Sequence, residues 1–249
     1  MEFSLSEEQG ILSESIKKMF DENINIDNLR DHSKGDKSIR KIIRGSIIDM
    51  GLPGLMIPEE YGGSGLGVLE ATLVAEQIGS YAVPSPWIGN SIMAPTAILF
   101  EKDNHLAEKW LPLIASGEIT ACISLSEVIG KRGDLGLTVS GDKVSGINIF
   151  GIDGELSPAI IITALNNNLI LIETSNNGVE INEIPTIDST RPVVEIIFDS
   201  SNYVTIPGGK EAIQKTIDVG RIGLAGDLLG ASQNMLNKAV EYSLERKQF

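Results

Sequence analysis

The sequence predicts an α+β fold in three blocks. A helical N-terminal domain spans 1–117, a small antiparallel β domain (barrel or sandwich) spans 118–207, and one long helix fills 208–249. Three observations predict it. Apolar residues before Gly117 recur at helical spacing. After Glu118 the chain turns to short runs rich in Ile and Val, separated by turn residues. From about Lys210 helical texture returns and is not broken again.

The first predicted helix is SLSEEQGILSESIKKMF. Two overlapping capping boxes open it, Ser4 with Glu7 and Ser6 with Gln9. Ile11, Ile16, Met19 and Phe20 form its apolar set. SIRKIIRGSIIDMG repeats the pattern and stops at Gly51, and GVLEATLVAEQIGS stops at Gly79. SIMAPTAILFEK and NHLAEKWLPLIASG complete the block, the latter with Asn104 as a cap. Glu59 and Glu60 precede Tyr61-Gly62-Gly63 and read as turn structure. Trp87 and Trp110 read as core, Glu76 as a structural or solvated helix carboxylate and His105 as exposed.

Seven strands follow: ITACISLSE, LTVSG, KVSGINIFG, AIIITAL, NLILIE, VEINEIP and VEIIFDSSNYV. Gly-Asp, Asn-Asn-Asn, Ser-Asn-Asn-Gly and Asp-Ser lie between them. Strands in series argue against a Rossmann sheet. No G-x-G-x-x-G or P-loop stands where either would be needed.

The last block is apolar almost all round, through Ile222, Leu224, Leu228, Leu229, Met235, Leu236, Val240, Tyr242 and Leu244. Such a helix expects neighbours on every side. Gly223, Gly226 and Gly230 suggest close approach of another backbone. No partner helices are visible in the sequence, so they are expected from another chain or from sequence beyond Phe249.

Composition excludes several function classes. Acids outnumber bases 34 to 20, a formal charge of −14. That argues against nucleic acid and anionic membranes as partners. The lone Cys122 sits among small and apolar residues, expected as a buried thiol in a reducing compartment, here the cytoplasm. The start MEFSLSEEQ lacks the basic region of a signal peptide. No apolar run approaches the ~20 residues that span a bilayer. No residue cluster has metal-ligand spacing.

GLPGLMIPEEYGGSGLGVLEATLVAEQIG, over Gly51 to Gly79, resembles the acyl-CoA dehydrogenases. KWLPLIASGEITACISLSE, TIDSTRPVVEIIFD and AVEYSLERKQF continue the resemblance in order along the chain. It implies a helical domain, a β domain and a C-terminal four-helix bundle, of which the sequence holds the first helix. It also implies FAD as cofactor and α,β-dehydrogenation of an acyl-CoA thioester. A glutamate takes the α-proton, and the β-hydrogen leaves as hydride to the flavin. The expected partners are an electron-transfer flavoprotein and further dehydrogenase-like subunits, in a homo- or hetero-oligomeric dimer or tetramer.

Site residues carry over one by one. Arg246, Gln248 and Phe249 match the end of the first bundle helix, implied to clamp the FAD of a neighbouring subunit. A planar, permanently charged guanidinium suits pyrophosphate oxygens. Arg221 and Asp218 match substrate-binding positions, with the arginine below the thioester. Leu125 and Ser126 match the flavin-facing end of the first β segment, with Ser126 as a hydroxyl donor. Phe150 and Ile152 match an aromatic and a hydroxyl residue beside the isoalloxazine. Ile152 has no hydroxyl, so a hydrogen bond to flavin N5 is expected from backbone instead.

Other departures are plain. The stretch SEVIGKRGD differs from the family's Thr-Glu-Pro-x-x-Gly-Ser-Asp, and Gly220 stands where a minority of members keep their catalytic glutamate. No catalytic base is recognisable in these residues. A second expectation therefore stands beside the enzyme: a non-catalytic structural subunit or degenerate paralogue that completes a partner's FAD site. A third, of the same fold, is a flavin monooxygenase or nitroalkane-oxidase relative.

Overall fold

The computed structural model describes residues 4–100, 105–125, 128, 136–154, 157–188, 191 and 193–248. Ser126, Phe249, Asn104 and most of SEVIGKRGD lie outside the described residues.

Helix α1 is Glu7–Asn23. Of its two sequence boxes the Ser6 one forms: Gln9 N–H donates to Ser6 Oγ (3.2 Å) and Ser6 N–H donates to Gln9 Oε1 (3.0 Å). Helix α2, Ile26–Ser33, was not anticipated; Asn25 caps it with a box to Asn28. Helices α3 (Ser38–Asp49) and α4 (Val68–Ser80) follow. Ile16, Phe20, Ile39, Ile43, Val74, Ile78 and Trp87 make the core between them. A wide, π-helical segment, Trp87–Met93, then leads into α5 (Ala94–Ile98) and α6 (His105–Ala115). Trp87 and Trp110 are buried and His105 is exposed.

Among the described residues eight strands follow: β1 Ala121–Ser124, β2 Gly136–Ser140, β3 Lys143–Gly151, β4 Ile160–Leu165, β5 Asn168–Glu173, β6 Val179–Ile184, β7 Val193–Asn202 and β8 Val204–Ile206. They form two four-stranded sheets, ordered β1-β4-β5-β8 and β2-β3-β7-β6. The expectation of purely antiparallel pairing is corrected at one edge, where β1 runs parallel to β4. β1 enters from α6 rather than from a hairpin, so no tight turn dictates its direction.

The first sheet lies between the helices and the second sheet. One face packs Ile123, Ile160, Ile162, Leu169 and Leu171 on α5, α6 and the long helix that follows β8. The other packs Cys122, Ile161, Ile170 and Ile172 on Val144, Val194, Ile196 and Phe198. Burial on both faces explains the unbroken apolar runs AIIITAL and NLILIE.

Helix α7, Gly209–Glu245, is 37 residues long. The expectation that it lacks partners in the chain is corrected for its first part. A Cβ on Gly226 would lie 2.8 Å from Thr72 O, and one on Gly230 1.8 Å from Glu76 O. These two glycines admit the α4 backbone, as expected; Gly223 instead admits the side chains of Ile88 and Ile92. The last contact with α4 is Asn234 Nδ2–H donating to Ser80 O. Beyond it α7 projects for about 16 Å at ~1.5 Å per residue. Met235, Leu236, Val240, Tyr242 and Leu244 are exposed there, Leu244 by 81%. Among the described residues no helix is long and apolar enough to cross a membrane.

Candidate functional site

Among the described residues the two sheets are joined by one isolated antiparallel bridge. Ile152 N–H donates to Ile123 O (2.9 Å) and Ile123 N–H donates to Ile152 O (3.2 Å). Just before it β3 slips against β7, from Asn148↔Ile196 to Gly151↔Val194. The extra residue forms a bulge, which re-aims side chains at a sheet end. Phe150 takes φ +60° there and stands 44% exposed. A left-handed conformation is costly for a bulky residue and persists only where surrounding structure enforces it. Here the enforcement comes from Gly151 and Gly154. A Cβ on either would lie 3.1 Å from Cys122 Sγ and 2.8 Å or less from Val194 Cγ2.

Asp153, also at φ +60°, ties this corner to the helical block. Its Oδ2 accepts from Gly89 N–H (2.6 Å) and Asn90 N–H (3.0 Å), at the start of the wide helical segment. Gly89 is required, because a Cβ there would lie 2.7 Å from Asp153 Oδ2. Asn90 Oδ1 accepts from Ala121 N–H (2.9 Å), fixing the same segment to β1.

Between this corner and α7 lies a cavity of about 420 Å³. Its β wall is Ile123, Leu125, Phe150, Ile152 and Val193, and its helical wall is Ile88, Met93, Ile217, Gly220 and Leu224. Ser85, Asp153, Arg191 and Arg221 supply polar groups. This is the size and chemistry of a small-molecule site, apolar with a few convergent polar groups.

The sequence-predicted residues distribute as follows. Leu125, Phe150, Ile152 and Arg221 share this cavity. Asp218 is one turn from Arg221, whose Nη1–H donates to Asp218 Oδ1 (3.3 Å). The Arg221 side chain is 70% exposed at the rim. The Ile152 N–H itself is bound to Ile123 O. Gly220 has little room for a side chain, since a Cβ would lie 2.6 Å from Met93 Sδ.

Arg246 and Gln248 are exposed on the projecting end of α7. The Arg246 guanidinium lies 5.5 Å from the centre of the Tyr242 ring. Arg246 is 22 residues beyond Leu224, about 33 Å along a helix axis. It cannot reach the cavity of its own chain.

Sequence reasoning missed Arg191 and Asp227. Arg191 Nη1–H donates to Asp227 Oδ2, and Nη2–H donates to Asp227 Oδ1 (3.2 Å) and Val83 O (3.3 Å). The only signal was an arginine before proline in a turn and an aspartate inside a greasy helix. Nothing in their spacing linked them. Among the described residues no His, Cys, Asp and Glu cluster could hold a metal ion.

Residues 6–118 match the family model described as acyl-CoA dehydrogenase, N-terminal domain. The chain is 27% identical to the short-chain specific acyl-CoA dehydrogenase, mitochondrial, of Sus scrofa. That alignment covers 81% of this chain, which spans 54% of the relative's length. Its fold is similar to butyryl-CoA dehydrogenase of Megasphaera elsdenii, with TM-score 0.84, 21% identity, and 100% and 72% of the two chains covered. It is similar too to a chain of the ChsE4-ChsE5 complex of Mycobacterium tuberculosis, with TM-score 0.84, 20% identity, and 100% and 70% covered. The N-terminal model and these relatives agree in likening the chain to the acyl-CoA dehydrogenases.

Proposed function

We propose that the cavity holds the isoalloxazine of FAD and the reacting end of an acyl-CoA thioester, in an α,β-dehydrogenation. The observation that carries this is the convergence of Leu125, Phe150, Ile152 and Arg221 on one cavity, from three separate elements. The residues present fit a flavin. Phe150 is an exposed aromatic held against its own backbone preference, and a planar ring packed on it would bury it. Ile123, Leu125 and Ile152 offer an apolar wall beside it.

When bound, the flavin accepts the hydride; the protein supplies positioning and electrostatics. Phe150 and the Ile123–Ile152 bridge set the plane of the β wall. Arg221 presents a guanidinium at the rim for a thioester carbonyl or a phosphate oxygen, with Asp218 orienting it. Met93 and Ile217 exclude water from the helical side. Asp153 is a poor candidate for the base. Its Oδ2 is already engaged by two backbone N–H groups. We propose that the base comes from outside these residues.

Arg246 and Gln248 are proposed to serve the FAD of a second subunit, since their own cavity is out of reach. The exposed apolar end of α7 is the proposed assembly surface, in a homo- or hetero-oligomer. An electron-transfer flavoprotein is the proposed electron acceptor and the cytoplasm the proposed compartment. The ChsE4-ChsE5 neighbour is itself a complex of two chains, which supports partnering of this kind.

The test is a visible spectrum of the protein incubated with FAD and freed of unbound flavin. Retained flavin that bleaches on adding acyl-CoA, with a partner subunit supplied, is expected. Flavin retained but never bleached favours the non-catalytic subunit. No retained flavin refutes both.

A further inference from the structure

Arg191 and Asp227 bring together three parts of the chain that wall the cavity. Arg191 lies between β6 and β7, Asp227 on α7, and Val83 between α4 and the wide helical segment. The guanidinium forks onto the carboxylate through both Nη atoms and reaches Val83 O with one of them. The pair is largely enclosed, with the arginine side chain 28% and the aspartate 12% exposed. A bidentate pair fixes orientation as well as distance.

Each member is coupled to the cavity lining. Arg191 lines it directly, and Val193 lies two residues on. Leu224 lies one helical turn before Asp227, and Ser85 and Ile88 follow Val83. The approach is built in by Gly79, where a Cβ would lie 1.8 Å from Asp227 O and 2.5 Å from Asp227 Oδ1. The Asp153 bonds to Gly89 and Asn90 hold the same segment from the β side.

We infer that Arg191 and Asp227 form a clasp that sets the gap between the β wall and the α7 wall, and so act as positioning residues for the ligand. The inference rests on the flavin reading of the cavity. Arg191 lines the cavity, so loss of the clasp lets the β corner and the segment after Val83 move independently. Neither residue takes part in chemistry. The conservative change Arg191→Lys keeps the cation and loses the fork. Asp227→Asn keeps the shape and loses the charge.

The experiment compares wild type, Asp227→Asn and Arg191→Lys by amide hydrogen exchange of the flavin-free protein, and then by FAD titration well below every melting temperature. Exchange at Gly89, Asn90 and Ile152 is expected to quicken about tenfold or more in both variants, with α1 to α3 unchanged. The FAD dissociation constant is expected to rise about tenfold. Unchanged exchange at these amides, or a rise spread evenly over the chain, overturns the clasp. So does unaltered FAD affinity in variants that exchange faster. A wild type that takes up no FAD refutes the flavin site, while the exchange data still decide the clasp. If Asp227→Asn fails to fold, Arg191→Lys carries both readouts.

Discussion

Replacing Gly230 by Ala should destabilise the protein, although Ala is the better helix former. The new Cβ would lie 1.8 Å from Glu76 O and 2.9 Å from Ser80 N. Ordinary contact begins at 3.4 Å, so the shortfall against Glu76 O is 3.4 − 1.8 = 1.6 Å. Both neighbours are backbone atoms of α4 and cannot rotate away. The helices must part along the crossing, at the upper end of overpacking costs, about 3 kcal/mol. Helix propensity returns about 1 kcal/mol. The net loss is about 2 kcal/mol, or a fall of about 4–8 °C in melting temperature for a chain of this length. Gly45→Ala is the control. Gly45 lies inside α3 with nothing within 4 Å of a Cβ, so only the propensity gain remains, worth about 2–4 °C upward. Thermal unfolding followed by far-ultraviolet circular dichroism reads both. If Gly230→Ala melts at or above the wild-type temperature, the close α4–α7 crossing is wrong.

Three further outcomes follow from the structure. Glu70 accepts from Gln9 Nε2–H (2.8 Å) and Gly67 N–H (2.9 Å), and chiefly the Gln9 bond holds its carboxyl below the ordinary 4.5. A depressed carboxylate stabilises above its unfolded value and loses that contribution as pH falls through its folded one. Glu70→Gln should therefore lower the melting temperature at pH 7 and converge with wild type well below pH 4.5; a gap constant with pH contradicts this. Leu236→Glu with Val240→Glu should reduce self-association of the chain on gel filtration, because both side chains lie on the projecting end of α7. An unchanged elution volume would count against that surface. Mixing Phe150→Ala with Arg246→Ala chains should restore the FAD affinity that each variant alone weakens, since Arg246 cannot reach its own cavity. Mixtures as weak as the separate variants would show that the arginine serves no neighbour.

Much of this was legible because local chemistry decided it. The Ser6 box, the stop at Gly51 and the doubly buried runs of β4 and β5 each follow from adjacent residues, whereas α4 runs through Gly79 to Ser80, because that glycine makes room for Asp227 rather than ending the helix. Helix α2 escaped notice because eight mostly polar residues carry little periodicity; its Asn25 box was the available signal. The parallel β1–β4 pair joins segments some forty residues apart, and no turn announces it. Of the site, the apolar wall was found through resemblance, whereas the bulge that exposes Phe150 depends on strand register. Arg191 and Asp227 were invisible for the same reason, being 36 residues apart on unlike elements. Arg221 lines the cavity, but its exposure depends on how α7 turns at the rim.

The cavity stands or falls on whether flavin packs on Phe150. An equilibrium titration of FAD into wild type and Phe150→Ala, followed by flavin fluorescence, measures this directly. Saturable binding near one FAD per chain, weakened about tenfold in the variant (~1.4 kcal/mol), is the predicted result. Equal affinity in the two proteins, or no binding to wild type, would contradict it.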